Sequence, residues 1–466
     1  MKRNIWLKGA FSCGLIALLA ACGGGSLTNV TNPAPPAAPQ GSVFVVGTDA
    51  PLGSVLAFRI TFTGLNASDG TNSVSLITQP QEVEFARLNG LRTLLDLRSV
   101  PAGTYTSITA MLATPVISFL DTTTTPPSVQ TLNGTLTQSS VTVQLPQPLV
   151  VTDSGLVGLF LDFRIRNSLQ VDANGQMTGA VNPTLALRAI SPDAPEAMID
   201  ELRGGVVSVD VAAGTFVMQG PHGRNLTVVT DSQTQWEPGE SLSTLTTTSV
   251  VEVSGHLQRQ TLSLRAAEVE VLSRDRFLFG GLITDVRPPT GPATEFDLLV
   301  RTELPDLASA QPGQISAIPL NGNERFGIHH MLLPIGSRLF NAENLVAGQR
   351  VAVGGALDNS TNPPSLDARR VILHRQGLEG GWIPGSTRII SGNVGGFDFH
   401  AAGLQGNVLG RAVRVHTSER TRFINLAGLA DLTGANPIRL RVVGLVLKEP
   451  AGPDAVVVAH TVEKMN

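Results

Sequence analysis

Short runs of alternating apolar and polar residues, separated by Gly, Asn, Asp and Pro, dominate this chain after residue 40. Ser42-Val43-Phe44-Val45-Val46 and Ala57-Phe58-Arg59-Ile60-Thr61 are two such runs, and both are rich in β-branched and aromatic side chains. A period of two places every second side chain on the same face of a strand. Breaks between the runs are typical of turns between strands. The sequence therefore predicts an all-β fold.

The strand-like runs divide at a proline-rich segment near residue 192. About seven or eight runs precede it, which suits one N-terminal β-sandwich over 41–191. Asp193, the early prolines and the acidic residues that follow them predict a short helical or rigid linker over 192–203. We place the main domain boundary here.

After the linker, one order of sequence blocks recurs three times. The opening blocks are Gly205-Val206-Val207, Gly281-Leu282-Ile283 and Ser391-Gly392-Asn393-Val394. A later block contains an aromatic residue, which we align as Trp236, Phe340 and Phe423, with an insertion in the second copy around 302–335. Each copy suits a small closed barrel of short strands. The prediction is about three β-barrel-like repeats over 204–275, 276–376 and 377–466.

The first residues have the layout of an export signal. Lys2, Arg3 and Lys8 precede an uncharged stretch that is shorter than the roughly 20 residues of a membrane span. The stretch ends at Leu19-Ala20-Ala21-Cys22. This predicts a signal peptide over 1–21, followed over 22–40 by a Gly- and Pro-rich tether. The alternative is an ordinary secreted protein in which Cys22 has no special role.

Leu19-Ala20-Ala21-Cys22 resembles the lipobox of bacterial lipoproteins. The resemblance implies cleavage before Cys22, lipid attachment to its thiol and a membrane partner through that anchor. Gly23 in place of an acidic residue implies sorting to the outer membrane. We therefore expect a lipid-anchored protein of the cell envelope.

Composition excludes several kinds of chemistry. The cysteines are Cys13 and Cys22, so the part after the anchor has no thiol for a disulfide, a thiolate metal site or a nucleophile. Lysine is absent between Lys8 and Lys448, which excludes a Lys nucleophile there. Removing three lysines and arginines with the signal leaves 33 − 3 = 30 basic against 37 acidic residues, a charge of −7. Nucleic acid is therefore not an expected partner.

Few residues are candidates for a binding site. Asp49 precedes Pro51 near a strand end and suits an Asx-type turn or, alternatively, a calcium site. Trp382 lies between repeats in Gly380-Gly381-Trp382-Ile383-Pro384, where we expect it to be exposed and able to contact a ligand. All eight histidines follow residue 220, without helical metal-ligand spacing, so a metal site would have to form across strands or domains. We expect solvated or packing histidines, no metal and no cofactor.

Two families of domains of unknown function resemble parts of this chain. Thr48-Asp49-Ala50-Pro51, Leu95-Asp96-Leu97 and Val100-Pro101-Ala102-Gly103-Thr104-Tyr105 are similar to the DUF4382 family, and the last segment also resembles the strand entry of transthyretin-like and carboxypeptidase-regulatory-like sandwiches. In that segment Pro101 and Gly103 make a turn, and Tyr105 packs its ring inward with its hydroxyl free to bond locally. The Gly-x-Val, Gly-x-Phe and Val-x-Val-x-Gly blocks of the repeats are similar to DUF5666. Neither resemblance implies an activity.

Repeated domains without a catalytic motif favour a non-catalytic structural or binding role. The sequence contains no Gly-x-Ser-x-Gly elbow, no phosphate-binding loop with Lys and no His-Glu-x-x-His. We expect a protein that is not an enzyme, with a polysaccharide or an envelope protein as its partner. The alternatives are a carbohydrate- or cation-binding module of an adhesion or polysaccharide-uptake system, and a hydrolase with loop carboxylates.

We predict that Cys22→Ser abolishes incorporation of labelled fatty acid and moves the protein from the membrane to the soluble fraction, because the thiol that accepts lipid is gone. Cys13→Ser is the matched control and should leave labelling and fractionation unchanged. Labelling that persists in Cys22→Ser would contradict the anchor assignment.

Overall fold

A computed structural model describes residues 39–49, 55–88, 91–121, 128–172, 177–220, 223–237, 239–259, 261–304, 312–329, 334–358, 365–402, 412–450 and 454–465. The predicted signal peptide, Cys22 and the predicted tether up to residue 38 lie outside this part of the chain. Pro39–Asn466 forms one compact unit. The tether prediction ends one residue late, because Gln40 already belongs to the first strand.

The described residues form an all-β protein, as predicted. Their α-helix is the single turn α1 (Ile165–Ser168), and 3₁₀ turns occur at Ala86–Leu88, Pro195–Ala197, Leu242–Thr244, Ala342–Asn344 and Leu429–Asp431. Among these residues we find no helix that is both long and apolar enough to cross a membrane.

The N-terminal part is a β-sandwich. Its strands are β1 (Gln40–Asp49), β2 (Val55–Ser68), β3 (Ser73–Ser75), β4 (Gln81–Glu84), β5 (Thr93–Pro101), β6 (Gly103–Asp121), β7 (Ser128–Asn133), β8 (Thr135–Leu136), β9 (Ser140–Val151), β10 (Leu156–Phe163), β11 (Leu169–Val171), β12 (Met177–Val181) and β13 (Leu185–Ile190). One sheet has the order β13-β10-β1-β5; the other has β3-β2-β6-β7, with β4 on β2 and β9 on β6. A small third sheet has the order β11-β12-β8. Phe58, Phe85 and Phe163 pack together in the core between the large sheets.

Tyr105 confirms the predicted strand entry. Its side chain is buried, and its hydroxyl donates a hydrogen bond of 2.8 Å to the carbonyl oxygen of Pro101. The ring therefore contributes to the core while its polar group is satisfied four residues upstream.

Three units follow, which we call repeats 1, 2 and 3. Repeat 1 comprises β14 (Ile199–Asp210), β15 (Thr215–Gln219), β16 (Asn225–Val229), β17 (Gln235–Trp236), β18 (Val250–Leu257) and β19 (Leu264–Ser273). Repeat 2 comprises β20 (Phe277–Arg287), β21 (Glu295–Leu304), β22 (Ile315–Pro319), β23 (Arg325–Ile328), β24 (Arg350–Asp358) and β25 (Ser365–His374). Repeat 3 comprises β26 (Gln376–Trp382), β27 (Arg388–Ser391), β28 (Val394–Ala401), β29 (Val413–Thr417), β30 (Arg422–Ile424), β31 (Arg439–Lys448) and β32 (Ala455–Lys464).

The repeats share one strand order. It is β16-β15-β14-β18-β19-β17 in repeat 1 and β22-β21-β20-β24-β25-β23 in repeat 2, and repeat 3 has the same pairings among its counterparts. A parallel β16–β19 pair closes the sheet of repeat 1 into a barrel, and β29 with β32 does so in repeat 3. Equivalent glycines let the first two strands approach closely: a Cβ at Gly204, Gly281 or Gly380 would lie 2.1, 2.1 or 1.9 Å from a carbonyl oxygen.

The predicted alignment of the repeats is wrong at two points. The first strand of repeat 3 is β26, in which Gly380 takes the position of Gly204; Ser391–Val394 instead joins β27 to β28. In repeat 2 the counterpart of Trp236 is Phe326, which pairs with Val371 as Trp236 pairs with Val269. The turns and insertions between strands differ among the repeats, so the sequence alone did not align these positions. Strand pairing aligns them.

The predicted linker is shorter than 192–203. The turn Pro195–Ala197 matches the prediction of a helical segment, although Asp193 does not cap it. Residues 199–203 are already part of β14. Their burial against the sandwich favours strand over linker.

The sandwich and the repeats pack against one another. Phe44, Leu94 and Ile190 of the sandwich share a core with repeat 1. Leu445 and Val456 of repeat 3 join the core of repeat 2. Arg166 of the sandwich forms an ion pair of 3.0 Å with Glu379 of repeat 3. These contacts hold the repeats in place.

Repeat 1 and repeat 2 meet through the outer faces of β18–β19 and β24–β25. Val250 and Leu272 contact Ala352 and Ile372 there. Gly354 permits the close approach, because a Cβ on it would lie 2.2 Å from the carbonyl oxygen of Leu272.

We predict that Gly354→Ala lowers the free energy of unfolding by about 1–3 kcal/mol, because the new methyl group forces repeats 1 and 2 apart. Urea denaturation checks this. Gly205→Ala is the control: no atom lies within 4 Å of its new Cβ, so it should be neutral or slightly stabilising. Equal behaviour of the two variants would show that the repeats do not pack at Gly354.

Candidate functional site

A buried layer of charged and imidazole side chains lies where repeats 1 and 2 meet. Along β18 and β19 the valines at 251, 253, 269 and 271 point into the core of repeat 1. Glu252 and Glu270 alternate with them, so they point outward. Repeat 2 covers that face and removes both carboxylates from water; Glu252 is 1% exposed and Glu270 is 2% exposed.

Two arginines neutralise part of this layer. Arg350 of repeat 2 makes a bidentate pair with Glu201 of repeat 1, with 2.8 Å between one nitrogen and Oε1. The Nε of Arg203 donates to Oε2 of Glu252 over 2.6 Å. Burial raises the pKa of Glu201, but Arg350 and Arg203 lower it to about 2. These pairs keep Glu201 and Glu252 ionised.

Glu252, Glu270, His329 and His374 converge beside these pairs. One ligand atom from each lies within 4.8 Å of those of the other three. The Nε2 of His329 lies 3.1 Å from Oε1 of Glu252 and 3.3 Å from Oε2 of Glu270. The Nδ1 of His374 lies 3.7 Å from Oε1 of Glu252, and the two rings stack with centroids 4.8 Å apart. These are residue types that hold a divalent metal ion.

Several polar atoms of this group have no hydrogen-bond partner among the residues that the structure describes. They are Oε1 of Glu252, both carboxylate oxygens of Glu270 and both ring nitrogens of His374. The carboxylate oxygens close to Nε2 of His329 thus accept no hydrogen bond from the described residues. Buried polar atoms are rarely left in this way, since each costs about 1–3 kcal/mol.

Burial dominates the electrostatics of Glu270 and His374. It raises the pKa of Glu270 well above its usual range, and Glu252 and Glu268 raise it further. Burial likewise lowers the pKa of His374 well below its usual range. Burial and Glu201 raise the pKa of Glu252, but Arg203, His374 and His329 together lower it below its usual range. Burial thus favours the neutral form of His374, in which one ring nitrogen has an available lone pair.

The equivalent positions of the other repeats are occupied differently. Glu252 lies directly opposite Glu270 across the β18–β19 pair. In repeat 2 the opposed residues are Ala352 and Ile372, and in repeat 3 they are Arg441 and Glu463, which form an ion pair of 3.5 Å. Like charges directly opposite each other destabilise a sheet. Repeat 1 alone among the three places two carboxylates there.

A cleft opens beside the buried group. Its volume is 820 Å³, and both repeats line it. The residues relevant to binding are Trp236, Glu237, Arg325, Phe326, Phe340 and Arg370. Glu270 also lines the cleft, which therefore reaches the buried group. Arg370 and Glu237 form an ion pair across the two repeats.

The predicted exposure of Trp382 is wrong. The side chain is 1% exposed and lies in the core of repeat 3 with Phe397 and Phe399. Its indole N–H donates to Oγ1 of Thr387 over 2.9 Å. Trp382 lies two residues after Gly380, at which the first two strands of repeat 3 approach closely. Val206 and Ile283 occupy the equivalent position in repeats 1 and 2, and both are buried. This position faces inward, which accounts for the burial of Trp382.

The other predicted site residues lie partly or wholly outside the described residues. Asp49 ends β1, where its backbone pairs with Phe163, but its side chain is outside the described part of the structure. Cys22, His222 and His330 are outside it as well. Their predicted roles stay predictions.

Sequence reasoning missed the group because its members come from different strands and repeats. The misplaced alignment around Phe340 also separated His329 from β23, which it directly follows. A usable signal exists: Glu252 interrupts a valine-rich strand, and Glu268 and Glu270 do so in the next one. Correct pairing of these strands would have brought the carboxylates together.

Comparisons with known proteins identify two domains. Residues 40–178 match DUF4382 and residues 204–270 match DUF5666, each a domain of unknown function. These matches support the predicted domain composition. No curated protein matches the chain. A solved structure named "drosophila Unr CSD456" is similar at 11% identity and a TM-score of 0.14, over 57% of this chain and 97% of that one. We draw nothing from a similarity at that score.

We predict that Arg350→Met lowers the free energy of unfolding by about 3–5 kcal/mol, because Glu201 stays buried without its bidentate partner. Arg287→Met is the control. Arg287 pairs with Asp285, Glu295 and Asp297 at a partly exposed site, so its removal should cost less than about 1 kcal/mol. Urea denaturation of both variants tests this, and a similar small loss in each would contradict the buried pairing.

Proposed function

We propose that this chain is a lipid-anchored, non-catalytic binding protein of the cell envelope, and that the cleft between repeats 1 and 2 receives an envelope polysaccharide. The observation that carries the proposal is the cleft itself, which combines aromatic and charged side chains in one concave site. Concave sites with a few placed polar groups are typical of ligand sites, whereas protein partners are more often met by flatter surfaces.

The lining of the cleft suits sugars. Trp236 and Phe326 are partly buried and present apolar surface, against which a sugar ring can pack. Arg325, Arg370 and Glu237 supply donors and acceptors for hydroxyl or carboxylate groups. A pyranose ring likewise has an apolar face surrounded by polar hydroxyl groups, so it complements this lining.

The contacts between domains support a binding role. Arg338 of repeat 2 pairs with Glu449 of repeat 3 at 3.2 Å, close to the cleft. Arg370 pairs with Glu237 across it. A cleft whose walls are tied to neighbouring domains is pre-organised, which lowers the entropy lost on binding.

The anchoring and the lack of catalysis rest on the sequence. The lipobox supports attachment through Cys22, and the absence of recognisable catalytic motifs in the sequence supports a binding role. Together they support a polysaccharide site on an envelope-attached protein.

Binding is tested on the full chain purified in detergent, against oligosaccharides from envelope polysaccharides and from peptidoglycan. A ligand at about 100 times its dissociation constant should add about 2.7 kcal/mol of stability. Thermal shift and calorimetric titration measure this.

Arg325→Gln should weaken that binding at least about tenfold while stability stays unchanged, because Arg325 lines the cleft and is exposed. Arg388→Gln, an exposed arginine on β27 of repeat 3, is the control and should bind as the parent does. Parent protein that retains none of these glycans, or equal binding by both variants, would refute the cleft as a polysaccharide site.

A further inference from the structure

We propose that Glu252, Glu270, His329 and His374 form a four-coordinate site for a divalent transition-metal ion of the zinc class, and that this ion joins repeat 1 to repeat 2. Two ligands come from each repeat: the carboxylates from β18 and β19, and the imidazoles from β25 and from the residue after β23. The proposal does not depend on sugar binding in the cleft.

The ligand types select the metal. Two imidazoles with two carboxylates suit Zn²⁺ and its first-row neighbours, whereas Ca²⁺ and Mg²⁺ prefer oxygen ligands throughout. Thiolates are unavailable, because Cys13 and Cys22 lie in the N-terminal segment. A mixed nitrogen and oxygen set is therefore what this chain has for such an ion.

The spacing of the ligand atoms fits a tetrahedron. Metal–ligand bonds of ~2.0–2.1 Å place the ligand atoms of a tetrahedral zinc site about 3.3 Å apart. The Nε2 of His329 lies 3.1 and 3.3 Å from the oxygens of Glu252 and Glu270, and the Nδ1 of His374 lies 3.7 Å from the oxygen of Glu252. One ligand atom from each of the four residues lies within 4.8 Å of the other three, so small side-chain shifts would complete the coordination.

The unsatisfied atoms point independently to a cation. Glu270 is 2% exposed and His374 is 0% exposed. Within the described ranges, neither oxygen of Glu270 accepts a hydrogen bond, and neither ring nitrogen of His374 has a hydrogen-bond partner. The Oε1 of Glu252 also has no hydrogen-bond partner among the described residues, although Oε2 accepts a hydrogen bond from Arg203. A divalent ion would satisfy one atom of each residue and remove the repulsion between the opposed carboxylates.

The surroundings resemble those of a built metal site. Arg203 donates to the oxygen of Glu252 that faces away from His329, which orients the carboxylate. The valines of β18 and β19 form an apolar wall behind the ligands. The cleft reaches Glu270 and supplies an entry path for the ion.

The consequence is a metal crosslink between two repeats. An ion held by both sides opposes their separation, as a disulfide would, in a chain that has no cysteine after Cys22. Metal binding to the folded state alone then adds its binding free energy to stability.

The test uses the full chain purified in detergent, stripped with a chelator and titrated with Zn²⁺. We expect one Zn²⁺ per chain by elemental analysis and a rise in the unfolding temperature on adding Zn²⁺. Parent protein that takes up no zinc, or whose unfolding temperature zinc does not change, would overturn the proposal.

Glu270→Gln distinguishes metal binding from folding, because it should preserve or raise the stability of the metal-free protein while it weakens Zn²⁺ binding. In chelator the variant should be as stable as the parent or more so, since the amide replaces a buried carboxyl group that no arginine contacts among the described residues. It should bind Zn²⁺ more than about 100-fold more weakly and lose the zinc-dependent rise, because a ligand is gone. Glu379→Gln is the matched control: Glu379 of repeat 3 is also buried, but it pairs with Arg166 of the sandwich and with Arg439 and Arg441. It should keep the zinc-dependent rise.

Cobalt substitution tests the coordination number. Four-coordinate Co²⁺ absorbs visible light far more strongly than six-coordinate Co²⁺, so the parent should give intense bands. His374→Gln should lose them, while His416→Gln in repeat 3 should retain them. Weak bands in the parent, or intense bands that persist in His374→Gln, would overturn the assigned ligand set.

Discussion

The close packing of repeat 1 on repeat 2 is the constraint on which the rest of the structure depends. Leu272 and Ile372 make an apolar contact there, and Gly354 lets the two backbones meet. Because the strands approach so closely, polar side chains at the centre of these faces, such as Glu252, Glu270 and His374, lose contact with water. The charged layer is thus a consequence of the packing, and its groups must find partners inside the protein.

That requirement is met for some groups and not for others. Arg350 pairs with both oxygens of Glu201 and Arg203 pairs with one oxygen of Glu252, so this part of the layer resembles an ordinary buried ion-pair network. Glu270 lies opposite Glu252 without such a partner among the described residues. A position that costs stability unless a cation occupies it is typical of a functional site, since local rules are most often broken at functional sites.

The domains also act on one another. The sandwich shares its core with repeat 1, contacts repeat 2 near Leu56 and Leu282, and pairs with repeat 3 through Arg166 and Glu379. The repeats are therefore parts of one compact unit and not separate spacer domains joined by linkers. The cleft between repeats 1 and 2 owes its shape to this arrangement, because neither repeat alone forms both walls.

The sequence by itself determined the all-β class, the N-terminal sandwich and details such as the inward ring of Tyr105, because alternation and turn residues are local properties. It did not determine which strands correspond between repeats, and so it placed Trp382 at the surface although Gly380 aligns that strand with its core inward. Only the tertiary structure decided the buried site. Glu252 and Glu270 become neighbours through strand pairing, and His329 and His374 join them only when repeat 2 docks, a contact between distant segments that no local pattern encodes.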